Sequence, residues 1–259
     1  MSTHTAATLF LNSVIPLLKE VALRTELRKS YEKCAGTFLI SVHEGGEKRG
    51  THLINDHGEI QIKLGLPEET PDVELEFMTV AHFVNFFKGH TKKLPKIRGI
   101  KKVSQLALYF RTLLKMSSLL SVKEAPEALE DKELLTRLMF YLLTSGISQL
   151  NKLKEPSVHE WAKKSPDRVY ALTVSGYEDL GAYIRVKAGK SRSARGNYKR
   201  SKPFLTMRFA DVDSALAILL QTGDLLNLTA EEKLIMEGAP EFGAKLGDFM
   251  MLVGSIIQD

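Results

Sequence analysis

"VELEFMTVAHFVNFFKG" (Val73 to Gly89) and "FLTMRFADVDSALAILLQTG" (Phe204 to Gly223) make the same statement in different residues. Each opens on an apolar–polar alternation, passes a residue able to cap a helix, runs into an amphipathic stretch and stops at glycine. Val73, Leu75 and Phe77 alternate with Glu74 and Glu76; Leu205, Met207 and Phe209 alternate with Thr206 and Arg208. A period of two describes a strand with one covered face and one wet face. Thr79 and Asp211 then offer a side-chain oxygen to the free N–H groups of a first helical turn.

Both stretches continue alike. "LPKIRG" (Leu94 to Gly99) and "KLIMEG" (Lys233 to Gly238) read as short strands ending in glycine. An apolar helix follows each: "VSQLALYFRTLLKMSSLL" (Val103 to Leu120), and the closing run with Phe242, Leu246, Phe249, Met250, Val253, Ile256 and Ile257 at spacings of three and four. Upstream, each copy has a helical segment and then strands: 37–43, 51–55 and 59–64 in the first, 169–175 and 182–188 in the second, with room for one more strand in the basic segment after it. "SVKEAPEALEDKE" (Ser121 to Glu133) is polar, contains a proline and separates the copies. The expected organisation is α+β: two tandem modules, 1–125 and 126–259, each a mostly antiparallel sheet of about five strands with helices covering one face.

The second copy, "PFLTMRFADVDSALAILLQTG" with "KLIMEGAPEFGAKLGDFMML", resembles the sterol carrier protein type-2 domain family. The shared features are the alternating strand, the acidic cap, the leucine-rich helix ending in glycine, the strand ending in glycine and the Lys245-Leu246 pair. The first copy resembles it more weakly, since "IKKVSQLALYF" stands where the small-residue Lys-Leu pattern would be. The resemblance implies an apolar tunnel between sheet and helices that takes acyl chains, sterols or similar lipids. A first copy with a filled core, acting as scaffold, is compatible with its departures.

Three readings compete for the closing helix: ordinary core, an interface, or a cavity wall. Met250 and Met251 adapt to variable contents, and Gly243 and Gly247 cost a packing helix roughly 1 kcal/mol each relative to alanine. Both favour the cavity. The expected lining is Leu205, Met207, Phe209, Leu216, Leu219, Leu220, Phe242, Leu246, Phe249, Met250 and Val253, with Phe77, Phe83, Phe86, Phe87 and Phe110 in the first module. Burying a CH₂ is worth about 0.8 kcal/mol, so a dozen give roughly 10 kcal/mol gross, much of it consumed by ordering. Lipid binding without strong selectivity follows; the alternative is an interaction or scaffold module with no ligand.

Net charge is +5 over 259 residues. Eight cations and no acid lie between Ala182 and Lys202: Arg185, Lys187, Lys190, Arg192, Arg195, Lys199, Arg200 and Lys202. Without those eight the chain stands at −3, so its basicity is local. A solvated loop, an anionic membrane surface and a nucleic acid are the candidate explanations. The last wants interleaved aromatic residues for stacking, and only Tyr183 and Tyr198 are near. The expected partners are an apolar small molecule and an anionic membrane surface, with no nucleic acid.

Catalytic signals are sparse. "GGEKRGTH" (Gly45 to His52) lacks the Gly-Lys-Ser/Thr ending of a phosphate loop and reads as a hairpin. His43, His52 and His57 could hold zinc only by converging, and alternation places His43 on the outer face. No Gly-x-Ser-x-Gly elbow is present. Cys34, the single cysteine, excludes an intramolecular disulfide and reads as a packed thiol. Trp161, the single tryptophan, reads as a packing anchor in a linker-like stretch. No enzyme activity, cofactor or metal is expected. The apolar run Leu9–Leu18, broken by Asn12, Ser13 and Pro16, is too short for a membrane span, and without a signal the expected compartment is the cytoplasm.

Overall fold

A computed structural model describes residues 2–258. The chain divides into two compact units, residues 1–118 with 256–259, and residues 119–255. Each is built on its own five-stranded sheet.

In the first unit, α1 (Thr3–Leu9) runs through a π turn (Phe10–Val14) and a 3-10 turn (Ile15–Leu17) into α2 (Leu18–Arg24), followed by α3 (Arg28–Tyr31). Pro16 carries no N–H, which explains why the regular ladder changes pitch around it. By length and composition alone the stretch Thr3–Arg24 could cross a bilayer, but 83% of its most apolar window is buried inside the fold. The strands are β1 (Ala35–Glu44), β2 (Glu47–Asp56), β3 (Glu59–Leu64), β4 (Val73–Phe77) and β5 (Lys96–Arg98), with α4 (Val80–Phe87) and α5 (Val103–Leu120) around them. Sheet order is β3-β2-β1-β4-β5, and only the β1–β4 pair is parallel.

The second unit repeats this plan. Helices α6 (Leu129–Lys152) and α7 (Pro156–Lys164) precede β6 (Arg168–Val174), β7 (Gly181–Lys187), β8 (Lys190–Arg195) and β9 (Leu205–Phe209). Then come α8 (Val212–Leu219), α9 (Leu225–Ala230), β10 (Leu234–Gly238), a 3-10 turn (Pro240–Phe242) and α10 (Gly243–Gln258). Sheet order is β10-β9-β6-β7-β8, with β6 and β9 parallel. Strand for strand, this is the order of the first sheet, and the expected α+β class with two sheet-and-helix modules is what the chain forms. Thr79 accepts the His82 N–H at 3.2 Å and Asp211 the Ser214 N–H at 2.7 Å, so both caps work as the sequence implies.

Equivalent backbone details recur. The Asp72 N–H donates to the Thr37 carbonyl, and the Phe204 N–H to the Val169 carbonyl, each at 2.9 Å. Gly99 and Gly238 close the last strands at φ +80° and +98°, in the left-handed region, and a methyl on either would overlap the carbonyl oxygen of Asp72 or Phe204. The third strand lies on one side of the central strand and the fourth on the other, so the connection must cross the sheet. It crosses the outer face at a glycine in each unit. Leu66 lies against Gly50, and the Asn197 carboxamide lies where Gly181 would carry a methyl. Gly50 pairs with Ser41, Gly181 with Thr173, the same site in the two sheets.

The wet outer face expected for the first sheet is corrected here. Glu74 and Glu76 are each only 4% exposed, and Leu39, Ser41 and His52 beside them are buried too. Their carboxylates form an ionic layer. Glu74 accepts from Ser41 Oγ and Lys48 Nζ, each at 2.5 Å. Glu76 accepts from Arg98 at 2.8 and 2.9 Å and from His43 at 3.1 Å. Alternation reported the side of the strand correctly; it could not report the partners that cover it. Burial opposes the charge on Glu76, but the hydrogen bonds from His43, Arg98 and Lys48 prevail and lower its pKa to about 2.

Candidate functional site

The second unit contains a cavity of about 430 Å³, open to solvent, between α7, the start of β6 and the entry to α10. Its wall is Ser157, Glu160, Trp161, Lys164, Ser165, Arg168, Phe242 and Lys245. Local chemistry sets each element. Pro156 occupies the first turn of α7, where its missing N–H costs nothing, and Glu155 caps the helix by accepting the Val158 N–H at 2.8 Å. That start places Trp161 on the inward side. Its ring lies 5.1 Å from both Tyr170 and Phe249. The Arg168 guanidinium lies 3.9 Å from the Phe204 ring centre and 4.9 Å from that of Phe242, and the two rings meet edge to face at 5.0 Å. Lys245 Nζ lies 5.0 Å from the Phe249 ring. Trp161 and Phe242 are the aromatic residues of this wall and Lys164, Arg168 and Lys245 its cations, with Arg168 held against the Phe242 ring, an arrangement suited to an apolar body with a polar or anionic end.

Among the expected second-module lining residues, Phe242 is on this wall and Phe249 stands directly behind Trp161. Leu205, Met207, Phe209, Leu216, Leu219, Leu246, Met250 and Val253 are buried in the layer between sheet and helices, and Leu220 is half-buried. Phe140 of α6 packs on Phe209 with ring centres 5.9 Å apart. Sequence reasoning missed Trp161 as a wall residue because it took that stretch for a linker, and missed Arg168 because it began the strand one residue later, at Val169. The helix-start signal Glu155-Pro156, with Trp161 one and a half turns on, was there to be read.

In the first unit, Phe77, Phe83, Phe86 and Phe87 form one cluster with Phe10. Phe77 lies 5.2 Å from Phe83 and from Phe86, and Phe10 lies 5.5 Å from Phe87. The rings touch one another in the space between β4, α4 and the first helix. Phe110 is half-buried on α5, whose Tyr109 stacks on Phe38 at 4.4 Å and whose Thr112 bonds the Tyr31 hydroxyl at 2.8 Å.

The expected basic segment is a hairpin. β7 and β8 meet through the two-residue turn Ala188-Gly189, and pairing sets Arg185 opposite Arg192 and Lys187 opposite Lys190 on the outer face. Asp167 takes Arg185 in a two-pronged ion pair at 2.6 and 2.7 Å and Lys187 at 3.3 Å. Arg195 points the other way, its guanidinium 4.9 Å from the Tyr141 ring of α6. Lys199 reaches Glu178 at 3.6 Å; Arg200 and Lys202 are exposed. His43 bonds Glu76 and His52 bonds the Gly65 carbonyl, while His57 occupies the β2–β3 turn, so the three histidines face different partners. Cys34 Sγ donates to the Ser30 carbonyl, and burial pushes its pKa up.

A second hollow of about 520 Å³, open like the first, lies on the outer face of the second sheet, over Ala171, Thr173 and Thr206, beside Tyr198 and the Arg208–Glu237 ion pair.

No protein-family model matches the sequence, and no curated protein does. Among solved structures, the chain is similar to the UbiJ-SCP2 ubiquinone synthesis protein, at 15% identity and a TM-score of 0.29, over 44% of this chain and 96% of that one. It is also similar to a Thermus thermophilus protein described as a possible sterol carrier protein, at 16% identity and a TM-score of 0.29, over 41% of this chain and 80% of that one.

Proposed function

We propose that this chain binds lipids or other long apolar molecules in its second unit, without catalysis, and can carry them. The cavity beside Trp161 is the observation behind the proposal. Its volume of about 430 Å³ falls within the range of small-molecule pockets, roughly 300–1,000 Å³. Trp161 and Phe242 give the wall its aromatic surface, and Lys164, Arg168 and Lys245 give it positive charge. The resemblance of residues 203–252 to sterol carrier type-2 domains points the same way. At about 0.8 kcal/mol per buried CH₂, a chain of a dozen carbons offers roughly 10 kcal/mol before ordering costs, enough for micromolar binding.

Trp161 is the chain's single tryptophan, so its emission reports on the cavity without a label. Native mass spectrometry of the purified chain, followed by extraction, should find co-purifying lipid, and titration with a long-chain amphiphile should shift the Trp161 emission to saturation at micromolar concentration. A clean mass together with an unmoved emission refutes the proposal. A scaffold role suits the first unit: Phe38, which pairs with β4 as Tyr170 pairs with β9, is covered by the stacked Tyr109 ring with Tyr31 against it, so the protein's own side chains pack where Trp161 stands in the second unit.

A further inference from the structure

One end of the second sheet gathers positive charge. The β7–β8 turn, the start of β6, the residues leading into β9 and the end of β10 all lie at that end, as the strand registers require. The turn is fastened down. The Ala188 N–H donates to the Ser165 carbonyl at 3.3 Å and the Gly189 N–H to the Ala162 carbonyl at 2.9 Å, while Asn151 Nδ2 donates to the Gly189 carbonyl at 3.0 Å. The hairpin tip is therefore joined to α7, the same helix that supplies Trp161 and Lys164 to the cavity wall. Basic hairpin and cavity mouth share one element.

The charges are not balanced internally. Arg168, Lys190, Lys202 and Lys245 have no carboxylate partner among the described residues. Glu160 serves Lys164 and Asp167 serves Arg185 and Lys187; Glu241 is the further acid of the adjoining turn. Like charges directly opposed across strands destabilise a hairpin, and this one carries two such rungs in succession, Arg185–Arg192 and Lys187–Lys190. A hairpin optimised for its own stability would alternate sign. These rungs become favourable when an extended anionic surface lies against them.

We propose that this end of the second unit docks on an anionic membrane surface, with the mouth of the Trp161 cavity facing the bilayer. The choice of a membrane among polyanions rests on the lipid-binding reading; the unbalanced charge does not. A nucleic acid fits less well. The two nearby aromatic residues, Tyr183 and Tyr198, are engaged edge to face with each other at 4.9 Å, whereas base stacking needs free ring faces.

The test is co-sedimentation of the full chain with phosphatidylcholine vesicles, pure or with one quarter phosphatidylglycerol. Binding should require the anionic lipid and fall with salt. Each basic residue near the surface contributes about fivefold in partition, the equivalent of about 1 kcal/mol. The double variant Lys190→Gln, Lys202→Gln should therefore bind about 25-fold more weakly. The charge-matched control Lys29→Gln, Lys63→Gln, on the first unit, should bind like the unaltered protein. All four positions are exposed, and circular dichroism verifies that each variant is folded. Equal binding to neutral vesicles, an equal loss in the control, or tighter binding to a single-stranded oligonucleotide than to vesicles overturns the proposal. Native mass spectrometry on the same preparations separates the two claims. Retained lipid without vesicle binding sinks the docking alone, and vesicle binding with neither retained lipid nor a shift of the Trp161 emission on titration supports the docking while removing the cavity reading.

Discussion

Gly238→Ala is the sharpest test of how the second unit is built. Gly238 sits at φ +98°, where an L-residue pays about 1–2 kcal/mol for its Cβ. The new methyl would also overlap the Phe204 carbonyl oxygen, which is backbone and cannot swing aside as a side chain would. Forcing a methyl into a packed site typically costs about 1–3 kcal/mol, so the sum is about 3 kcal/mol. Displacement of Phe204 has a second effect, because its ring carries the Arg168 guanidinium and meets Phe242 on the cavity wall. Guanidinium unfolding followed by Trp161 emission reads the stability of the second unit; the midpoint should fall, with the emission already altered before unfolding begins. A loss below about 1 kcal/mol with unchanged native emission would show that the strand end relaxes freely, and the argument from close approach would be wrong.

Lowering the pH should weaken the first unit. The Glu76 pKa falls to about 2 on folding, so its contribution is complete above the ordinary glutamate range and disappears as pH drops from about 4.5 to 2. Up to about 3 kcal/mol is at stake, and Glu76→Gln should flatten the acid limb of a stability–pH curve. Asp211→Ala should cost about 1 kcal/mol in a denaturation experiment, through loss of the cap on α8. Phe242→Ala should weaken amphiphile binding in a Trp161 emission titration while the unfolding midpoint moves little, since Phe242 is only half-buried; full-strength binding would place the ligand elsewhere.

The period-two runs at Val73–Phe77 and Leu205–Phe209, the caps Thr79 and Asp211, and the glycines closing each copy were legible because each is a local constraint. Backbone sterics act within a few residues and leave their mark in the residue types. Long-range features left none. Nothing in the alternation of Val73 to Phe77 says that β4 lies parallel to β1, or that Lys48, from a different strand, roofs Glu74 and Glu76. Gly50 and Gly181 carry a trace of the crossing connection, but a glycine inside a strand has several causes and the crossing segments differ in sequence. At the site, Phe242 was legible from helical spacing. Trp161 was not placed because polar residues from Lys152 to Lys164 masked a short helix that Pro156 and Glu155 announce, and Arg168 was not because the strand reads from Val169 in the sequence, one residue late.

The central parallel pair has a consequence for assembly of the chain. In each unit β1–β3 or β6–β8 form an up-and-down meander whose contacts are nearby in sequence, and β4–α4–β5 or β9–α8–β10 form a second piece. The two pieces meet along a single ladder, Phe38–Val42 on Val73–Phe77 or Tyr170–Val174 on Leu205–Phe209. Local contacts form faster than distant ones, so the meander can be in place while the later piece is still searching for its partner. Its exposed inner strand is then an open edge that other chains could pair with. That makes the interval before the ladder zips the period in which newly synthesised chains of this protein are most prone to aggregate.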